Sequence, residues 1–319
     1  MKKLLIQLDS DRHPSLFDRI VGYDAGADEV LSYGGVTAED VQGLIQGAFF
    51  TRGIPDLKNT AVWIGGSDVV KGERLLAEAQ RAFFGPFKVS LMLDSNGCNT
   101  TAATAMAKLA GQTELQERPA VVIGCGPVGV RAAMLLAGQG SQVTLTTIPA
   151  ELLGDRYNPD LARQSLEAAS QVAEAFSGGR DMLSGESIRR ASAAIAEAGV
   201  GELQIEDVVD LEALAHCLEG AEIAVAAGPA GIQILPHTLW ASHPSLQFLL
   251  DFNLTEPLGV EGIKASDDFK EREGKRTLGP LAIGNPKMKV HKACLARLFE
   301  QNDLVLDAPG VYQVARELI

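Results

Sequence analysis

The sequence predicts an α/β protein of two α/β domains, the second a Rossmann-like doubly wound parallel sheet. Short apolar runs alternate with amphipathic helical patterns along most of the chain, which favours largely parallel sheets covered by helices. A glycine-rich hexapeptide at 124–129 follows one such run and opens a helical pattern, as in nucleotide-binding sheets. At 319 residues the chain is long enough for two domains, and we expect an active-site cleft between them.

The first predicted domain spans residues 1–103 together with about 286–319. Three apolar runs bounded by turn residues are its predicted strands: 3–8, 60–64 and 89–93. Apolar residues along one side of 68–83 predict a helix there. Thr37, with Asp40 three residues later, predicts the start of another helix through a capping box.

The second predicted domain spans 104–285 and follows a helix from about 99 to 109. Its predicted strands are the apolar runs 120–123, 142–146, 202–205, 222–226, 247–250 and 281–283. Residues 148–200 are predicted to form an extended helical insertion, which is long beside a crossover of about a dozen residues. The insertion is either a surface decoration or oligomer contact, or a lid over the cofactor. A last helix pattern runs from about 290 to 299.

Composition excludes several classes of partner. A net charge of −13 argues against nucleic acid and anionic membranes, because an acidic surface repels both. No apolar run reaches the roughly 18 residues that span a bilayer, and the short N-terminal run is typical of a strand rather than a signal peptide. The four cysteines lack Cys-x-x-Cys spacing and are expected to be reduced thiols of a cytoplasmic protein. The five histidines show no metal-ligand spacing, so no metal site is expected.

The hexapeptide is the strongest functional motif. Gly124 allows a tight turn, Gly126 lets the backbone approach a pyrophosphate, and Gly129 lets the helix lie close to the strand. Pro127 suits the first helical position, and with Val128 it forms the helical turn whose free N–H groups face an anion. The motif predicts bound NAD(P); the alternative is an ordinary glycine-rich turn between strand and helix.

The end of the following strand favours NADP, with NAD possible. An NAD site usually has an acid there to bind the ribose 2′-OH, but the chain has Thr146 and Thr147, and no acid before Glu151. Two hydroxyls can bond a 2′-phosphate, and Arg156 is near enough in sequence to reach it.

A run of polar residues at 94–101 follows one predicted strand and precedes a helix. Open α/β sheets place ligands at such strand ends, so Asp94, Asn96 and Asn99 are candidate substrate contacts. The alternative is turn and cap chemistry alone, which one or two of these residues would satisfy.

Two further strand ends carry candidate groups. Lys287 lies in a basic patch at 285–292 of an acidic chain, just after the predicted strand at 281–283, where it would meet an anionic substrate or form a solvated helix face. Asp251 and Asn253 begin a loop rich in Gly and Pro, and they either bind substrate or the nicotinamide carboxamide, or order the loop.

With these residues in place, the chain resembles the NAD(P)-dependent methylene-tetrahydromethanopterin dehydrogenases, including members that also accept methylene-tetrahydrofolate. The segments that carry the resemblance are 17–28, 51–53, 65–68, 83–87, 93–101, 126–129, 227–232, 257–259, 282–284 and 287–291. They span nearly the whole chain except about 148–200, which makes the resemblance more specific than the glycine motif alone.

The resemblance implies a homo-oligomeric enzyme of one-carbon metabolism that oxidises the methylene bridge of a reduced pterin carrier to the methenyl form, giving a hydride to NAD(P)+. It implies Lys287 and Thr101 as catalytic residues, Phe17 as a pterin contact, and Ala227 and Gly228 beside the cofactor. The Arg-bearing turn of NADP-specific members is absent after the second strand, and the sequence does not distinguish methanopterin from folate.

Two alternatives stay open at this point. A Rossmann dehydrogenase of a small carbonyl acid would need a Lys or His acid, which Lys287 could supply. A nonenzymatic NADP-binding regulator would keep the three glycines but would need no ordered polar cluster at 94–101, so that cluster argues against it.

Overall fold

Two separate sheets organise the chain. The computed structural model describes residues 1–176 and 201–319, and its contacts divide them into two units. The first unit comprises Met1–Thr100 with Lys287–Leu318, and the second comprises 101–176, 201–286 and the C-terminal Ile319.

The described strands, in chain order, are β1 (Leu4–Asp9), β2 (Glu29–Tyr33), β3 (Thr60–Gly65), β4 (Ser90–Leu93), β5 (Pro119–Ile123), β6 (Gln142–Thr146), β7 (Leu203–Glu206), β8 (Ile223–Ala226), β9 (Phe248–Asp251), β10 (Asp268–Arg272), β11 (Lys275–Leu278) and β12 (Val305–Leu306). The described helices are α1 (Leu16–Asp24), α2 (Ala38–Phe50), α3 (Val69–Arg81), α4 (Cys98–Ala110), α5 (Pro127–Ala137), α6 (Ala150–Leu153), α7 (Pro159–Phe176), α8 (Leu211–Leu218), α9 (His237–Trp240), α10 (Pro280–Arg297) and α11 (Ala308–Leu318). None of these helices is both long and apolar enough to cross a membrane.

The first unit contains a five-stranded parallel sheet in the order β12-β4-β3-β1-β2. Its central strand β3 is buried along its whole length, as expected for a parallel strand covered on both faces. Side chains such as Leu8, Val62 and Leu91 pack with residues of α2 and α3 into one apolar cluster. The strand order reverses between β1 and β3, and ligands of open α/β sheets bind at the carboxyl ends of strands at such a reversal.

The second unit contains a seven-stranded sheet in the order β10-β11-β9-β8-β5-β6-β7. All neighbouring strands are parallel except β10 and β11, which form an antiparallel edge hairpin. From β7 to β11 this is the doubly wound order of dinucleotide-binding folds, and it reverses between β5 and β8. The predicted α/β class with a Rossmann-like parallel sheet is confirmed.

One predicted strand is wrong. Residues 281–283 lie in the first turn of helix α10, which begins at Pro280, a position that needs no N–H. The sheet instead takes its strand from Lys275–Leu278, beside β9. Lys287 therefore follows Pro286 inside a helix and not a strand end, because a short apolar run fits a strand and a buried helix turn equally well.

Several local predictions are confirmed. The Thr37 backbone N–H donates to Asp40 Oδ2 at 2.8 Å at the start of α2, as the capping box requires. Of the predicted insertion at 148–200, helices α6 and α7 lie among the described residues. The rest of that prediction, from 177 to 200, lies outside them.

Candidate functional site

A cavity of about 300 Å³ opens at the carboxyl ends of β1, β3 and β4 in the first unit. The loop after β1 contributes Asp11 and Ser15 to its lining, the first turn of α1 contributes Phe17 and Asp18, and the loop after β3 contributes Gly66 and Ser67. Asp94, Asn96, Gly97, Lys287 and His291 complete the lining. The cavity thus lies where the strand order reverses, and its volume is at the lower end of the range for small-molecule sites.

Two carboxylates, the buried Asp9 and the partly exposed Asp11, hold the loops of this cavity in place. Asp9 Oδ1 accepts from the Asp11 N–H at 2.8 Å, and its Oδ2 accepts from the Ser15 N–H at 3.0 Å. Asp11 in turn accepts from the N–H and the hydroxyl of Ser67, at 3.0 and 2.8 Å. The loops after β1 and β3 are therefore tied together, which keeps the cavity walls fixed.

The polar run at 94–101 divides into anchors and cavity residues. Asp94 borders the cavity, but its two carboxylate oxygens accept from the N–H and the hydroxyl of Thr100, at 3.0 and 2.7 Å. Asn99 is buried outside the lining, and its amide donates to the Leu93 carbonyl at 2.6 Å. These contacts favour Asn99 as an anchor of the loop, and its role as a substrate contact stays a prediction.

Asn96 and Gly97 shape the cavity through their backbone. Both residues have positive φ, 55° and 61°, a conformation that costs energy for asparagine and is found at functional sites. A Cβ on Gly97 would lie 2.7 Å from the ammonium nitrogen of Lys287. The missing side chain at Gly97 therefore makes room for the lysine, which projects from α10 into the cavity.

Asp18 is a cavity residue that the sequence analysis missed. Burial, together with the carboxylates of Asp94 and Asp9, raises its pKa to about 7, against the effects of Ser15 and Lys287. Near neutral pH this carboxyl is divided between its ionised and neutral forms, so it can accept or donate a hydrogen bond. A strongly perturbed acid in a cavity is a mark of a functional site.

Two rings complete the wall. His291 is buried, packs edge-on against Trp63 at 4.9 Å between ring centres, and has no hydrogen-bond partner for either ring nitrogen among the described residues. Burial lowers its pKa, so the imidazole is neutral at pH 7 and free to bond a ligand. Phe17 lines the cavity with 54% of its surface exposed, which suits a planar ring as neighbour.

Thr101 is half-buried in α4, belongs to the second unit and does not line this cavity.

The glycine-rich turn of the second unit fits a dinucleotide. Gly124 has φ 113°, and a Cβ there would lie 2.5 Å from the Ala227 carbonyl oxygen. A Cβ on Gly129 would lie 2.0 Å from the Gly124 carbonyl oxygen, so α5 could not pack as it does. Gly126 is different, because a Cβ there would meet nothing closer than 3.9 Å. The space above Gly126, at the start of α5, is what an approaching pyrophosphate needs.

The groups predicted to bind a 2′-phosphate have partners within the chain. The Thr147 hydroxyl donates to Asp207 Oδ1 at 2.8 Å and accepts from the Val208 N–H at 2.9 Å. The Arg156 guanidinium donates to the Ala230 carbonyl at 2.7 Å, in the loop after β8. The Thr146 hydroxyl is buried and has no partner among the described residues.

The remaining predicted residues surround the reversal between β5 and β8. Gly228 packs tightly, since a Cβ there would lie 2.9 Å from Ile234. Asp251 accepts from the N–H groups of Asn253 and Val260, both at 2.8 Å, and burial raises its pKa to about 6.

Asn253 braces the same loop. Its side-chain oxygen accepts from the N–H groups of Gly231 and Thr255, at 3.2 and 3.0 Å, and its amide donates to the Pro257 carbonyl at 3.0 Å. Of the alternatives for Asp251 and Asn253, these bonds favour the ordering of the loop over direct ligand contact.

Comparison with known proteins identifies the family. Residues 16–96 match the family model described as methylene-tetrahydromethanopterin dehydrogenase, N-terminal. Over 320 residues the chain is 38% identical to the bifunctional protein MdtA of Methylorubrum extorquens, with 99% of each protein covered. The chain belongs to the methylene-tetrahydromethanopterin dehydrogenase family.

Two further comparisons concern a second relative and the fold. The family includes an NAD(P)-dependent methylenetetrahydromethanopterin dehydrogenase of the same organism, which is 27% identical over 327 residues with 99% of each protein covered. The structure of ornithine carbamoyltransferase from Pyrococcus furiosus is 13% identical and aligns with a TM-score of 0.52, over 92% of this chain and 84% of that one. At that identity the likeness concerns the fold alone. The resemblance noted in the sequence is confirmed, whereas the roles of individual site residues stay predictions.

Proposed function

We propose that this chain is an NAD(P)-dependent oxidoreductase of one-carbon metabolism. It would oxidise the methylene bridge of methylene-tetrahydromethanopterin, of methylene-tetrahydrofolate or of both to the methenyl form. The observation that carries the proposal is the cavity of the first unit. Most of its lining falls within residues 16–96, which match the family model, and it combines a perturbed acid with a lysine and an exposed phenylalanine.

The chemistry suits a site without a general base. The methylene carbon lies between two nitrogens, so loss of a hydride leaves a cation that both nitrogens share. NAD(P)+, when bound, supplies the acceptor for that hydride. No proton is transferred in this step, so the residues need only bind, orient and shield the substrate.

Lys287 is assigned to orientation. A positive charge beside the reacting carbon would oppose the developing cation, so its ammonium would instead donate to the pterin carbonyl oxygen, away from that carbon. Its place over Gly97, inside the cavity, leaves the ammonium available to a ligand.

Asp18 is assigned to the polar groups of the pterin beside that carbonyl. The ring presents an amino group and a ring N–H side by side, and the two oxygens of a carboxylate match such a pair. Phe17 would pack against the ring face, and the neutral His291 imidazole would offer a further hydrogen bond.

The glycine-rich turn is assigned to the cofactor. The Val128 and Gly129 N–H groups belong to the first turn of α5 and would bind the pyrophosphate over Gly126. This assignment uses the open space that the structure shows at Gly126.

We extend the proposal to assembly and location. Leu16, Ile20 and Tyr23 lie along one side of α1 and are 69%, 53% and 41% exposed, which favours a contact with a second copy of the chain. The four cysteines are free thiols, which is typical of the reducing cytoplasm.

The test is turnover of the purified protein with each methylene carrier, in parallel with NAD+ and NADP+. Reduced nicotinamide and the methenyl product should appear together and in equal amounts. A mixture with small carbonyl acids and reduced nicotinamide serves as the control for a different dehydrogenase. Absence of turnover with both carriers, in protein that binds the cofactor, would overturn the proposed reaction.

A further inference from the structure

In the second unit, an acidic residue follows strand β7 at the carboxyl edge of the sheet. Strands β5, β6 and β7 lie side by side, with Ile123 opposite Thr146 and Thr146 opposite Glu206. The residues that follow β6 and β7, Thr147 and Asp207, are therefore neighbours at the carboxyl edge of the sheet. This is the edge that carries the glycine-rich turn.

Only one oxygen of the Asp207 carboxylate accepts a hydrogen bond from the described residues. Its Oδ1 accepts from the Thr147 hydroxyl at 2.8 Å, and that hydroxyl is itself fixed by the Val208 N–H at 2.9 Å. The Asp207 side chain is exposed, so the carboxylate is also accessible from solvent. Its charge reaches the glycine-rich turn, where it adds to burial in raising the pKa of the Cys125 thiol to about 12.

The nearby arginine does not neutralise this carboxylate. Arg156 donates to the Ala230 carbonyl, and no ion pair to Asp207 is formed by the described residues. In doubly wound sheets an acid at the end of the second strand accepts from the ribose 2′-OH, whereas a 2′-phosphate needs a cation. Here Thr147 occupies that strand end, and its hydroxyl is engaged with the acid from the neighbouring strand.

We propose that Asp207, at the end of β7, binds the adenosine ribose hydroxyls and makes the site select NAD over NADP. This rests on the proposed function, since it assumes that the glycine-rich turn binds a nicotinamide dinucleotide. A carboxylate accepts hydrogen bonds from a ribose diol and repels a phosphate dianion. The preference for NADP that the sequence indicated came from the absence of an acid after β6; the structure supplies one from β7.

The experiment measures dissociation constants of NADH and NADPH by nicotinamide fluorescence on the intact chain, without pterin. The unmodified protein should bind NADH at least about tenfold more tightly than NADPH. In Asp207→Asn the amide oxygen still accepts from Thr147, so the fold is kept while the charge is lost. The ratio of the two constants should then fall about tenfold, mainly through tighter NADPH binding.

Glu206→Gln is the matched control. It removes the same charge one residue away, on the opposite face of β7, and should leave the ratio unchanged. Equal binding of both cofactors by the unmodified protein, tighter NADPH binding, or the same change in both variants would overturn the assignment of Asp207. Failure to bind either cofactor would instead count against the proposed function itself.

Discussion

The Asp18 carboxylate lowers the stability of the folded protein but provides a group that can bind a ligand. Its carboxyl shares the cavity with Asp94, near a second carboxylate at Asp9, and these neighbours together with burial raise its pKa to about 7. Ionising this carboxyl in the folded protein costs free energy, and a neutral side chain would avoid that cost. A carboxyl at this position therefore has a function. The pterin edge proposed above would recover the cost by offering two N–H donors.

Asp18→Asn should therefore stabilise the protein at alkaline pH. The unfolded carboxyl ionises near pH 3.9, below the folded value, so the folded state loses stability as pH rises through about 7. The variant lacks this loss. Because the side chain is only partly buried, its advantage in the free energy of unfolding should widen by about 1–2 kcal/mol between pH 5 and pH 8. Chemical denaturation at both pH values checks this, and an equal advantage at both would contradict it.

Lys287→Ala tests the positioning role of the ammonium. Loss of one orienting hydrogen bond should lower kcat/KM for the methylene carrier about 100-fold and leave NADH binding unchanged. Lys289→Ala is the control, because Lys289 lies on the same helix but is exposed and outside the cavity lining. Steady-state kinetics of both variants would contradict the role if Lys287→Ala lost no more than the control.

At the scale of elements, the sequence predicts structures that adjacent residues encode. It does not show which strands pair with one another. The strand, turn and helix around Gly124 are encoded by adjacent residues, and so is the capping box of α2. The run at 281–283 is too short to distinguish helix from strand. Asp207 was missed because it stands in no motif, and Asp18 was missed because the segment 17–28 does not show which side chains surround it. Sheet order brings Asp18 to Asp94, and strand pairing brings Asp207 to Thr147.

Two glycines of the same turn should respond in opposite ways to alanine. Gly129→Ala places a methyl group 2.0 Å from a backbone oxygen and should cost at least about 2 kcal/mol of unfolding free energy. Gly126→Ala meets no atom closer than 3.9 Å at φ −71° and should keep the stability of the parent. It should nevertheless weaken NADH binding at least about tenfold, because the methyl group fills the space of the pyrophosphate. Denaturation and fluorescence titration of both variants decide this; unchanged NADH binding in Gly126→Ala would contradict it.

For the whole molecule, the two sheets imply two ligand sites with separate machinery. Each sheet has its own reversal of strand order, between β1 and β3 in the first unit and between β5 and β8 in the second. The cavity with Asp18 belongs to the first unit and the turn with Gly126 to the second. Each ligand should therefore be removable by a change that leaves the binding of the other intact.

Thermal unfolding with one ligand at a time would show this separation. A ligand at 100 times its dissociation constant stabilises the folded state by about 2.7 kcal/mol, which raises Tm measurably. NADH should raise the Tm of the parent and of Asp18→Asn alike, and that of Gly126→Ala by no more than about half as much, because tenfold weaker binding leaves about 1.4 kcal/mol of stabilisation. The methenyl carrier, which cannot be reduced without reduced cofactor, should raise the Tm of the parent and of Gly126→Ala, but not that of Asp18→Asn. If either variant lost its response to both ligands, the assignment of one ligand to each sheet would be wrong.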